Sequence, residues 1–187
     1  MTASETDLSG LDLLHQRHEE IKRLFDQLLD AQPAEREELF DCLRATLAVH
    51  EVVEEMYVHP LVRDMGPDGE RVAEARLKEE AEATHTLSAL EELGVEGDQF
   101  ATRLVMFRRA VVAHAEAEER EAFPLLQSGC KQEDLAALAD SILVSEQLAP
   151  THAHPHASQN PIALMLTGPF VAMVDKARDR LKDLLDN

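Results

Sequence analysis

The stretch HEVVEEMYVHPL at residues 50–61 returns 64 residues later as HAEAEEREAFPL at residues 114–125. His50 aligns with His114, Glu54 with Glu118, Glu55 with Glu119, and Pro60-Leu61 with Pro124-Leu125. On an α-helix, residues i and i+4 lie one above the other on one face. Each copy therefore points an imidazole and a carboxylate the same way, and two such helices facing each other make a cage for a pair of metal ions. The flanks agree. Leu43, Leu47 and Leu61 share the face of His50, and Phe107, Val111 and Leu125 that of His114, so each stripe is apolar at both ends and ligand-like in the middle. A carboxylate is costly to bury unless paired or metal-bound. A single HxxxE would read as a structural histidine beside a solvated glutamate; its duplication favours metal.

Outward from the repeat, the spacing of apolar residues predicts four long helices. The first starts near Leu8, capped by Asp7 or Thr6, or else near Asp12, and runs to Asp30. The second opens at Pro33, carries His50 and ends near Val62, with Pro60 as a kink. The third, about 69–93, carries His85, and the fourth, about 98–127, carries His114. Short Gly- and Pro-bearing turns join them, so sequential helices are antiparallel neighbours in an all-α, up-down-up-down four-helix bundle over residues 8–128. Each hairpin offers one histidine from its first helix, His18 or His85, and one HxxxE from its second. Residues 129–187 read as a C-terminal extension: a fifth helix at about 131–148, a Pro- and His-containing linker at 149–161, and an amphipathic helix at about 169–186.

Composition bounds the function. Lys and Arg number 18 against 37 Asp and Glu, a formal net charge of −19. Nucleic acid and anionic membrane surfaces both demand a basic patch, so neither is an expected partner. The N-terminus carries no secretory pattern, and no apolar run approaches a membrane span. Cys42 and Cys130 have no CxxC spacing and read as reduced, incidental thiols. The expectation is a cytoplasmic monomer or homodimer.

The order H…HxxxE…H…HxxxE on four helices, with EE and then Pro-Leu closing each second helix, resembles the hemerythrin HHE cation-binding family. The matching stretches are RHEEIKRL at 17–24, AVHEVVEEMYVHPLV at 48–62, ATHTLSALEEL at 83–93 and VAHAEAEEREAFPLL at 112–126. The resemblance implies a non-haem di-iron centre inside the bundle, with His18, His50, Glu54, His85, His114 and Glu118 as ligands by motif position. Oxygen-carrying members have HxxxH on the third ligand helix. Here Ala89 stands at i+4 from His85, which argues against reversible oxygen carriage.

Imidazole and carboxylate together suit iron, manganese or zinc. Six such side chains cannot fill two octahedral ions even with bridging carboxylates, which leaves positions for hydrogen peroxide, O₂ or nitric oxide. The leading reading is a di-iron redox protein acting on peroxide, in the manner of a catalase. The alternatives are a non-catalytic sensor or binding protein for iron, O₂ or nitric oxide, and iron or oxygen storage. Tyr57, seven residues after His50 on the same face, is the candidate catalytic proton donor, with direct ligation and a structural hydrogen bond as its other roles. Glu51, Glu82 and His15 read as solvated or supporting groups, His59 as a surface residue, and His152, His154 and His156 as part of the linker.

Overall fold

The computed structural model describes residues 8–148. The expected linker and terminal helix lie outside the described residues. Helix α1 spans Gly10–Asp30. Its cap is Ser9, between the two starts expected from sequence. The Ser9 hydroxyl accepts from the Asp12 backbone N–H at 3.3 Å, and the Asp12 carboxylate accepts from the Ser9 N–H at 3.1 Å. This reciprocal capping box satisfies two otherwise orphaned donors.

Helix α2 (Pro33–Val53) runs into a π turn, π1 (Glu54–Val58), and continues as α3 (His59–Arg63). Helix α4 spans Pro67–Leu93. Helix α5 (Phe100–Ala117), π2 (Glu118–Ala122) and α6 (Phe123–Gly129) repeat the pattern of the second bundle helix. Helix α7 (Gln132–Leu148) follows. Gly94 closes α4 at φ 71°, a left-handed conformation that suits glycine, and its N–H reaches the Leu90 carbonyl at 3.0 Å.

The two π turns sit at the same place in the repeat. The Glu54 carbonyl accepts from the N–H of His59, five residues on, and the Glu118 carbonyl accepts from that of Phe123. In each case the repeated proline is the second residue after the turn, Pro60 behind His59 and Pro124 behind Phe123. Proline has no N–H to donate, and its ring clashes with the carbonyl four residues back in a regular helix. A widened turn relieves that clash, so the helix passes through Pro60 and Pro124 instead of ending there.

Helix α1 packs on α2, α5 and α7, while α4 packs on α3 and α5. The result is an antiparallel four-helix bundle with a fifth helix laid on α1. Its core has two apolar parts. One gathers Phe25, Leu28, Phe40, Leu43, Phe100, Leu104 and Phe107; the other gathers Leu13, Leu14, Tyr57, Val62, Leu126, Leu138 and Ile142. Every bundle helix crosses from one part to the other through a buried or half-buried polar stretch: His18 on α1, His50 and Glu54 on α2–π1, Glu80 on α4, and His114 and Glu118 on α5–π2.

Candidate metal centre

The polar layer is two overlapping groups of ligand-type side chains. His18, His50, Glu54 and Glu118 each offer one donor atom within 4.8 Å of the others. Glu54, Glu80, His114 and Glu118 do the same. Glu54 and Glu118 belong to both groups, as carboxylates that bridge two ions would. The His50 Nε2 lies 3.1 Å from Glu54, and the His18 Nε2 lies 3.6 Å from Glu54 and 3.4 Å from Glu118. The His114 Nε2 lies 3.5 Å from Glu118 and 3.8 Å from Glu80.

Almost none of these atoms is satisfied. The Nε2 atoms of His18 and His114, both oxygens of Glu54, both oxygens of Glu118 and one oxygen of Glu80 are buried without a hydrogen-bond partner. Buried polar atoms normally find partners. A convergent set of orphaned carboxylates and imidazoles fits cations: two divalent ions would offset Glu54, Glu80 and Glu118 at the point where their charges meet. Imidazole plus carboxylate, with no thiolate, suits iron, manganese or zinc.

Protons do part of that work in the metal-free cluster. Burial opposes charge on His18, but the nearby Glu118 and Glu54 carboxylates prevail and raise its pKa to about 10. Burial opposes charge on His114 too, and Glu54 with Glu118 raises it to about 10. His50 is dominated by burial and falls to about 4, so its imidazole is neutral. Burial and the neighbouring Glu54 carboxylate push Glu118 up to about 7. Glu51, on the wall of the site, is raised to about 8 by burial and by Glu80 and Glu54.

Two of the candidate ligand histidines are held from behind. The His18 Nδ1 donates to Glu119 at 2.8 Å, and Glu119 also meets the Nδ1 of His15 at 3.0 Å. Phe123 stacks on the His18 ring, with centroids 5.8 Å apart and planes 13° from parallel. The His114 Nδ1 donates to Glu79 at 3.0 Å, and Arg76 in turn donates to Glu79 at 3.0 Å. An ionised carboxylate only accepts. Each pair therefore places the ring hydrogen on Nδ1 and leaves Nε2 free to face the cluster, the usual way an outer carboxylate orients a ligand histidine. A cavity of about 310 Å³ opens beside the cluster, with Ile21, Leu47 and Val111 as apolar wall and His50, Glu51 and His114 at its polar end.

Of the residues singled out from sequence, the structure brings together His18, His50, Glu54, His114 and Glu118. It leaves out His85, which is exposed on α4. The buried residues of that helix are Gly69, Val72, Ala73, Arg76, Glu80, Leu87 and Leu90, and His85 lies five residues beyond Glu80, ~140° round the helix. Glu80 takes the place expected for His85. The clue in the sequence is register: Glu80 falls on the apolar stripe of its helix and His85 does not.

Tyr57 is also placed elsewhere. It is buried in the apolar part of the core, with its hydroxyl 3.4 Å from Ser145 on α7, and does not line the cavity. Residues in the widened π1 turn advance by less than the ~100° of an α-helix, which carries Tyr57 off the His50 face. The same turn corrects the surface placement of His59. Five residues after Glu54 would be ~140° away in an α-helix, but the π turn brings His59 back beneath Glu54. It is 2% exposed and hydrogen-bonded through Nε2 to Glu80.

Comparison with known proteins bears on this arrangement. An uncharacterised hemerythrin-like protein of Schizosaccharomyces pombe is 28% identical over 137 residues, which cover 73% of this chain and 68% of that protein. The crystal structure of a hemerythrin HHE cation-binding domain-containing protein from Mycobacterium kansasii shares 20% identity, covers 91% of this chain and 99% of that chain, and superposes with a TM-score of 0.69. At that identity the likeness speaks for the fold. The family model of the hemerythrin HHE cation binding domain matches residues 9–126. That span begins at the Ser9 cap, ends at the last buried leucine of α6 and takes in the whole polar layer, so the chain belongs to the hemerythrin HHE cation-binding family.

Proposed function

We propose that the chain holds two non-haem iron ions and decomposes hydrogen peroxide, with O₂ and nitric oxide as further small molecules able to reach the same positions. The observation that carries the reading is the pair of four-residue groups sharing Glu54 and Glu118. Each group supplies four donors, and iron in imidazole–carboxylate sites favours six. Each position then keeps room for a small oxidant beside the cavity. The iron pair supplies two-electron exchange, and dismutation of two peroxide molecules to one O₂ and two waters needs that number in each half-reaction.

The chain's own residues prepare the site. Glu119 and Glu79 fix the faces of His18 and His114. Ile21, Leu47 and Val111 keep bulk water from the apolar side of the cavity. Glu51 lines the same cavity, and its raised pKa suits it to hold or release a proton there near neutral pH. The test is oxygen release from iron-loaded protein on adding peroxide, with iron content measured on the same sample. Close to two irons per chain and a rate well above that of free iron support the reading. A loaded protein no faster than free iron, with a reversible optical change on adding O₂ or nitric oxide, replaces catalysis by binding or sensing.

A further inference from the structure

The two halves of the repeat do not support their ligands alike, and the difference falls on one aligned pair. His59 corresponds to Phe123 across the 64-residue offset. Phe123 stacks on His18, whose Nδ1 is bonded to the Glu119 carboxylate. In the other half α3, which begins at His59, packs on α4, and α4 presents a carboxylate, Glu80, where α1 presents an imidazole. Glu55, the counterpart of Glu119, is exposed. Instead His59 turns inward and bonds Glu80 through Nε2. One half has an imidazole held by a carboxylate; the other has a carboxylate held by an imidazole.

We propose that His59 is a positioning residue of the metal centre: it fixes one oxygen of Glu80 so that the second metal position, under Glu80 and His114, keeps its third carboxylate. The inference rests on the two-ion reading above. His59 and Glu80 are 2% and 4% exposed, so the bond is shielded from water. One oxygen of Glu80 is engaged by His59 while the other is buried without a partner. His59 stands outside the groups whose donors converge within 4.8 Å, which makes it a support and not a ligand. The two positions therefore differ chemically. One offers two imidazoles and two carboxylates, the other one imidazole and three carboxylates, a harder, oxygen-rich set. Loss of an outer partner of this kind costs roughly 10–100-fold in metal affinity, and here the cost should fall on one ion of the two.

The experiment is cobalt(II) titration of the full chain after removal of metal, followed by the visible cobalt bands and by equilibrium dialysis. Wild type is compared with His59→Gln and His59→Asn. The Gln amide nitrogen reaches about as far as Nε2, whereas that of Asn stops near the position of Nδ1. The expected result is two ions in wild type and in His59→Gln. His59→Asn should take its first ion as wild type does and bind the second about 10–100-fold more weakly. Two ions at wild-type affinity in His59→Asn overturns the proposal, and so does His59→Gln as impaired as His59→Asn, since that marks direct ligation. A wild type that takes a single ion overturns the two-position reading itself, a result distinct from either.

Discussion

Glu54 and Glu118 are fully buried, and neither oxygen of either is hydrogen-bonded. Leaving one such group uncompensated costs several kcal/mol, so cations held between them would account for their presence at the bundle centre. Because both are shared, Glu54→Ala or Glu118→Ala should remove most of the bound metal. Glu80→Ala should leave about one ion, Glu119→Ala should weaken binding about 10–100-fold through His18, and Glu55→Ala and His85→Ala should change nothing. Elemental analysis of the purified variants checks the series; a His85→Ala protein that loses metal would show that α4 is rotated from its described register. Tyr57→Phe should keep both ions and the peroxide rate, and cost about 0.5–1.5 kcal/mol through the lost bond to Ser145. An altered rate at matched iron content would return the phenol to the chemistry. At this scale the duplicated motif was readable because two histidines and two glutamates recur at one spacing. Glu80 was not, because choosing ligands by residue type favours a histidine over a glutamate even when only the glutamate lies on the buried stripe.

Helix existence and order follow from apolar spacing, from Pro33 at the start of α2 and from the Gly-bearing turns. The π turns do not announce themselves in that way. The 3.6-residue pattern resumes on both sides, and one inserted residue looks like a small slip in register. The physical signal is the proline six residues after Glu54 and after Glu118, which makes a regular turn unfavourable at that place. The close packing of α7 on α1 was equally hidden, although Gly10 marks it: a Cβ there would fall 2.5 Å from Leu138. Gly69 marks the α3–α4 corner, where a Cβ would fall 1.9 Å from the Val62 carbonyl oxygen. Gly10→Ala should therefore destabilise by about 1–3 kcal/mol as Leu138 shifts. Gly69→Ala should cost more, because backbone has to move. Thermal or denaturant unfolding orders the two, and equal, near-zero losses would mean that neither approach is as tight as described.

The whole molecule carries a formal charge of −19 and concentrates several carboxylates in a buried layer. Protons and metal ions are then alternative counter-charges for one cluster, and the competition fixes how binding depends on pH. Burial opposes protonation of His18 and His114, yet the Glu54 and Glu118 carboxylates raise both to about 10. Near pH 7 each holds a proton in the metal-free protein and must surrender it to ligate. His50, lowered to about 4 by burial, is already neutral and releases none. Glu118, raised to about 7 by burial and Glu54, is partly protonated and releases a fraction. Filling both positions should thus free about two to three protons. The sign follows: the overall binding constant for two ions should rise roughly a hundredfold or more per pH unit between pH 6 and 8, and loaded protein should give up metal on acidification. Calorimetry of zinc binding in buffers of different ionisation enthalpy counts the protons directly. A count below one would mean that the metal-free histidines are neutral, that the buried carboxylates are compensated in some other way, and that the two-ion layer is assembled differently from the one described.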